Sequence, residues 1–142
     1  MPEGRGTGST LSKEERQAVK DRAKELKEQK TKADGLKAVD EAIAKLDAGD
    51  QKIARKLHEV VLAEAPDLAP KTYYGMPGWA RDGKILCFFQ PASKFGTRYG
   101  TLGFEQPAAL DDGDMWPTAF AILKIGDAEE KKIRALVKKA TA

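Results

Sequence analysis

The chain has little of what builds a reactive centre. Its 142 residues include one cysteine, Cys87, and one histidine, His58. A single cysteine excludes an intramolecular disulfide and any Cys-x-x-Cys pair, and a lone histidine excludes His-x-x-x-His, so the common transition-metal frameworks are missing. No apolar run approaches the length of a membrane span, and the N-terminal residues lack the apolar region of a signal peptide. The expectation is a soluble, cytoplasmic protein with no membrane partner. Gly96, Gly100 and Gly103 match neither phosphate-loop spacing and read as turn and bulge residues. Ser93 has neither a Gly-x-Ser-x-Gly nor a Ser-x-x-Lys context, since Lys94 follows it directly. No recognisable catalytic set remains, and the reading leans away from an enzyme.

An excess of one charge is nearly absent too. The net charge is +3, with charged residues at 33% and hydrophobic residues at 41% of the chain. The basic surplus sits at the two ends, +2 over residues 1–35 and +2 over 127–142, while 36–71 is −1 and 72–126 is neutral. Nucleic-acid binding needs basic side chains gathered on one face, and that gathering is missing, so no nucleic-acid partner is expected.

What is present is patterned chain. The tail 1–10 is rich in Gly, Ser and Thr and is expected to be disordered. Ser12 with Glu15 makes a capping box for a charged helical extension over 11–34. Leu11, Ala18, Val19, Ala23 and Leu26 give that helix only a thin apolar stripe. Its like-charged i,i+4 pairs, Arg16–Lys20, Lys20–Lys24 and Asp21–Glu25, do nothing for an isolated helix. Such a helix docks weakly, extends into solvent or meets a partner. Asp34-Gly35 is expected to end it and to open an α+β domain over 35–142.

Within that domain a short helix is predicted over 36–46, with Val39, Ala42, Ile43 and Leu46 on one stripe. Asp50 is the expected N-cap of the next helix, 51–64, whose apolar face is Ile53, Leu57, Val60 and Val61, and Pro66 follows its end. Asp82-Gly83 is the pair a tight two-residue hairpin turn requires, because both central residues need positive φ. The register that follows sets Arg81 against Lys84, Ala80 against Ile85 and Trp79 against Leu86. Trp79, Leu86 and Phe88 then share one face, and Ala80, Ile85, Cys87 and Phe89 the other. A strand apolar on both faces belongs inside its sheet, whereas Pro77, lacking a backbone donor, pushes the first hairpin strand toward an edge or restricts its pairing to the part after Gly78. A loop at 91–96, a strand over 97–105, a helical turn at 107–110 and a strand over 116–123 follow. Asp127 with Glu130 caps the last helix, whose stripe is Ile133, Leu136, Val137 and Ala140.

Four candidates for chemistry stand out. His58 falls off the apolar stripe of its helix and reads as a partly exposed, non-catalytic residue. Cys87 sits among apolar neighbours, where burial raises a thiol pKa and makes it inert. Asp111, Asp112 and Asp114 surround Gly113 like a fragment of a calcium loop whose closing glutamate is missing. They offer weak, exposed cation binding or simply a solvated loop. Tyr73, Tyr74, Trp79, Lys94, Arg98, Tyr99 and Trp116, with Met76 beside them, would line an aromatic pocket between the sheet and a helix, suited to a small molecule or a protein partner. The plainer alternative places Trp79 and Trp116 in the core, with Lys94 and Arg98 at the surface.

One ordered set of motifs carries a resemblance. Ala65-Pro66, Tyr74-Gly75-Met76-Pro77 with Trp79, the Asp82-Gly83-Lys84 turn, the 85–89 strand, Lys94, the 116–123 strand and the terminal Leu136-Val137-Lys138-Lys139 occur in that order. Together they resemble the YdhG-like family over about residues 36–141. The resemblance implies an α+β fold with an antiparallel sheet packed by helices. It further implies a role like that of frataxin-like intracellular iron chaperones, with iron weakly bound at exposed carboxylates and iron–sulfur or haem assembly proteins as partners. Family members often carry a histidine soon after the lysine matching Lys94; here Phe95 and Gly96 follow.

Overall fold

The computed structural model describes residues 11–28 and 31–142; the expected disordered tail lies outside them. Three helices lead: α1 (Lys13–Glu28), α2 (Lys32–Ala44) and α3 (Ala48–Glu64). Then come β1 (Ala69–Tyr73), β2 (Met76–Arg81), β3 (Lys84–Gln90), the single-turn α4 (Ala92–Phe95), β4 (Gly100–Phe104), β5 (Ala119–Ile122) and α5 (Asp127–Ala140). The strands form one antiparallel sheet in the order β1-β2-β3-β4-β5, so every strand pairs with its sequence neighbour. This is the α+β class expected, with helices packed on a sheet and a helical N-terminal part.

The core is built where the helical stripes meet the sheet. Val39 and Ile43 of α2, Leu57, Val60 and Val61 of α3 and Val137 of α5 are fully buried in one cluster with Trp79, Leu86, Cys87, Phe89 and Leu102. Each such side chain contributes roughly 1.5–3 kcal/mol through apolar area removed from water. At the rim of that cluster Arg134 of α5 reaches Glu64 of α3 at 3.0 Å and Glu130 at 2.9 Å, orienting the two helices more than stabilising them.

Several elements depart from expectation, each for a local physical reason. Asp34-Gly35 does not break the chain. Thr31 is the N-cap of α2, its hydroxyl accepting from the Asp34 N–H at 3.0 Å while the Asp34 carboxylate accepts from the Thr31 N–H at 3.3 Å. Gly35 therefore lies inside the helix, so the expected boundary at 34/35 falls within α2. The glycine is there for approach: a Cβ at 35 would run into the Pro70 carbonyl of β1. α3 begins earlier than expected, capped by Asp47, whose side chain accepts from the Asp50 N–H at 2.9 Å. Likewise α5 starts after Gly126, and it is Glu129 that reaches back to the Gly126 N–H at 2.8 Å. The turn expected at 107–110 falls earlier, at 105–108, closed by Ala108 N–H to Glu105 O, and the 91–96 loop contains α4.

The hairpin turn at Asp82-Gly83 is as expected, with φ of 52° and 79°. The register holds for Arg81–Lys84 and Ala80–Ile85, then slips at a β-bulge, so that Trp79 pairs with Cys87 and Gly78 with Phe88. The bulge changes the faces. Leu86, Cys87 and Phe89 all join Trp79 in the core cluster, whereas the Phe88 ring lies on the surface of Gly103 and beside Tyr73, 5.4 Å between ring centroids. β3 is interior, and β2 pairs with it only from Gly78 onward, but Pro77 does not mark an edge. The unforeseen strand β1 pairs with β2 and takes that place, with Thr72 opposite Pro77.

Candidate functional site

The site begins at a second two-residue turn, Tyr74-Gly75, which joins β1 to β2. Tyr73 pairs with Met76 across it, and its central residues have φ of 52° and 80°. Positive φ is ordinary for Gly75, but for a bulky residue such as Tyr74 it is an outlier that the surroundings must hold in place. What holds it is α1. The Glu25 carboxylate accepts from the Tyr74 N–H at 2.9 Å through Oε1 and from the Gly75 N–H at 2.7 Å through Oε2. Arg22, one turn earlier, lies over the rings of Tyr73 and Tyr74, 5.2 and 5.7 Å from their centroids.

The other side of the turn is closed by Lys94 of α4, whose Nζ donates to the Gly75 carbonyl at 2.9 Å. Asp21 and Lys94 together fill the space a side chain at 75 would need. α4 is anchored from beneath: the Asp50 carboxylate, 6% exposed, accepts from the Ser93 N–H at 2.9 Å. Asp47, beside it, is held below the usual carboxylate range by hydrogen bonds from the Ser93 side chain and the Asp50 backbone. Burial pushes the Lys94 ammonium below its ordinary pKa, with Lys45 acting in the same direction, while Asp21 and Glu25 oppose them.

Between α1, α2, the start of α3 and these two turns lies a cleft of about 600 Å³. Asp21, Glu41 and Asp50 line it with Lys24, Lys45 and Lys94, and Ala38, Ala42 and Leu46 add apolar wall between them. The arrangement suits a ligand with charges of both signs.

The expected aromatic pocket is distributed over separate places. Lys94 lines the cleft and Tyr74 stands at the turn beside it, its ring edge-on to Tyr73 at 4.8 Å. Trp79 has no exposed surface; its Nε1 donates to His58 Nδ1 at 3.1 Å inside the core. Met76 is buried, and Arg98 packs on its neighbour Tyr99 at the surface, 5.2 Å from the ring centroid. Trp116 borders a smaller cavity of about 370 Å³ with Phe104, Glu105 and Asp111. Tyr74, Trp79 and Lys94 thus do not converge on one cavity. Asp111, Asp112 and Asp114 are exposed, and among the described residues no three His, Cys, Asp or Glu side chains are grouped to hold an ion.

Two solitary groups are placed by the core. Cys87 is fully buried, which pushes its thiol up to about 12. His58 is part-buried and uses Nδ1 as an acceptor, while Nε2 faces Asp40 at 3.9 Å; burial pushes its pKa below 6.5. Glu25, Asp21, Asp50 and Gly75 are the site residues that sequence reasoning missed. The one available signal was the Asp21–Glu25 pair, a repulsive spacing on an isolated helix that makes sense once both carboxylates face donors. No helix among the described residues is long and apolar enough to cross a membrane. Comparison with protein-family models, with curated proteins and with solved structures finds no match to this chain.

Proposed function

We propose that this protein is a non-enzymatic binding module whose ligand is a small polar molecule bearing both acidic and basic groups. The observation that carries this reading is the 600 Å³ cleft, lined by carboxylates and lysines and framed by the Gly75 and Lys94 turns. Binding is favoured over catalysis because the residues nearest to nucleophiles are occupied or inaccessible: Cys87 is sealed in the core and His58 serves Trp79. Iron delivery to iron–sulfur or haem assembly is the role the YdhG-like resemblance implies, and its donors would be carboxylates. The mixed charge of the cleft suits an organic ligand better than a bare cation, whose favoured site is a cluster of oxygen ligands.

An NMR screen of small amphoteric compounds against the full chain tests the proposal. A true ligand moves the amides of Gly75, Ser93 and Lys94 together and saturably. Hits that move only the Trp116 region, or ferrous iron broadening the cleft residues at micromolar concentration while no organic compound does, would overturn it.

A further inference from the structure

The Tyr74-Gly75 turn presents two successive backbone N–H groups to one point, the arrangement that makes an anion-binding concavity. In this molecule the anion is supplied internally. Glu25 is 4% exposed, and each of its oxygens takes one of the two N–H groups, at 2.9 and 2.7 Å. The Lys94 ammonium sits on the carbonyl side of the same glycine and adds a positive field.

The grip of α1 on the rest of the molecule is otherwise slight. Its buried apolar contribution among the described side chains is Ala18, which lies outside the main core cluster, and Leu11, Val19 and Leu26 remain exposed. Docking also strands a donor: Arg22 Nη1 is buried without a hydrogen-bond partner and approaches Glu25 no closer than 3.7 Å. A helix held chiefly by polar contacts (Glu25 on the turn, Arg22 over the Tyr73 and Tyr74 rings, Asp21 beside Lys94) and burdened with an unpaired donor is a displaceable one.

We infer that the Tyr74-Gly75 turn is a receptor for a carboxylate group, that Glu25 is its built-in occupant, and that the carboxylate of an incoming ligand takes the place of Glu25 and releases α1. The inference deepens the cleft proposal and rests on it for the ligand's location. It names the acidic end of that ligand and makes α1 the element that yields to it.

Acetate is the probe, titrated at constant ionic strength against chloride into the wild-type chain and the Glu25→Ala variant, with amide shifts read by NMR. The variant is expected to show saturable downfield shifts at Tyr74 and Gly75, and the wild type to respond only at higher acetate, with amide shifts along α1 as Glu25 is displaced. Acetate needs only the turn, so this result is independent of whether the wider compound screen succeeds. Equal responses at other amides, no saturable response at Tyr74 and Gly75, or loss of sheet dispersion in Glu25→Ala would each overturn the inference. The last outcome would mean that α1 is structural and not displaceable.

Discussion

The two faces of the α2–α3 layer are held by opposite means. Toward the sheet, α3 and α5 close on Trp79, Cys87 and Phe89 with apolar surface, and the Trp79–His58 hydrogen bond is a polar contact set into it. Toward α1, the same layer closes on a polar cleft in which Glu25, Asp50 and Lys94 each satisfy backbone groups of a turn. Apolar packing is non-directional and tolerates small shifts in register; carboxylate-to-amide contacts are directional and fail abruptly when the geometry is lost. The core therefore supplies stability, and the cleft supplies precise but separable attachment.

The largest test of that contrast is Trp79→Ala. Removing a fully buried indole leaves a cavity and an unused His58 acceptor, and is expected to cost about 3–5 kcal/mol in urea unfolding. A loss below about 1 kcal/mol, the size of an ordinary surface substitution, would mean that the core face is not the principal source of stability. Gly35→Ala comes next. The added methyl meets backbone rather than a movable side chain, so a cost of about 1–3 kcal/mol is expected, with shifts concentrated in β1. Unchanged stability would show that α2 and β1 are further apart than described.

On the cleft side, Asp50→Ala strands the Ser93 N–H and is expected to cost about 1–2 kcal/mol. Its signature differs from that of the core variants: the Ser93, Lys94 and Gly75 amides should shift while Trp79 fluorescence stays constant. A change in Trp79 emission would break the separation between the two faces. The smallest effect is a pH dependence of the core. His58 must be neutral for Nδ1 to accept from Trp79, and burial lowers its folded-state pKa below the 6.5 it has when unfolded. Below 6.5, down to that lowered value, the unfolded chain binds more protons, so stability falls as pH drops through this window and is independent of His58 above it. Urea midpoints measured between about pH 7.5 and about pH 5 should decline in the wild type and flatten in His58→Gln; parallel curves would remove His58 as the cause.

Much of the fold was legible because its signals are local. Capping pairs such as Ser12 with Glu15, the Asp82-Gly83 turn and the apolar stripes of α3 and α5 each act within a few residues. The errors share one origin, a local signal outweighed by a distant contact. Gly35 looks like a helix breaker until Pro70 is seen against it, and the hairpin register looks uniform until the bulge turns Leu86 and Cys87 toward the same core. Tyr74-Gly75 carries little turn signal of its own, because tyrosine is a poor residue for positive φ. The candidate site was far less legible than the fold, since its residues carry no sequence signature of one another.

Apolar periodicity and turn chemistry operate over short spans, and they suffice for the α+β class, the buried inert Cys87, the interior place of β3 and the helices whose stripes make the core. The docking of α1, the inward turn of Trp79 to His58 while Lys94 turns to the cleft, and the two carboxylates that hold the turns framing it emerge with the assembled fold. The reason is separation along the chain. Glu25 and Tyr74 lie 49 residues apart and Asp50 and Ser93 lie 43 apart, so their hydrogen bonds exist only after the sheet and helices have brought them together.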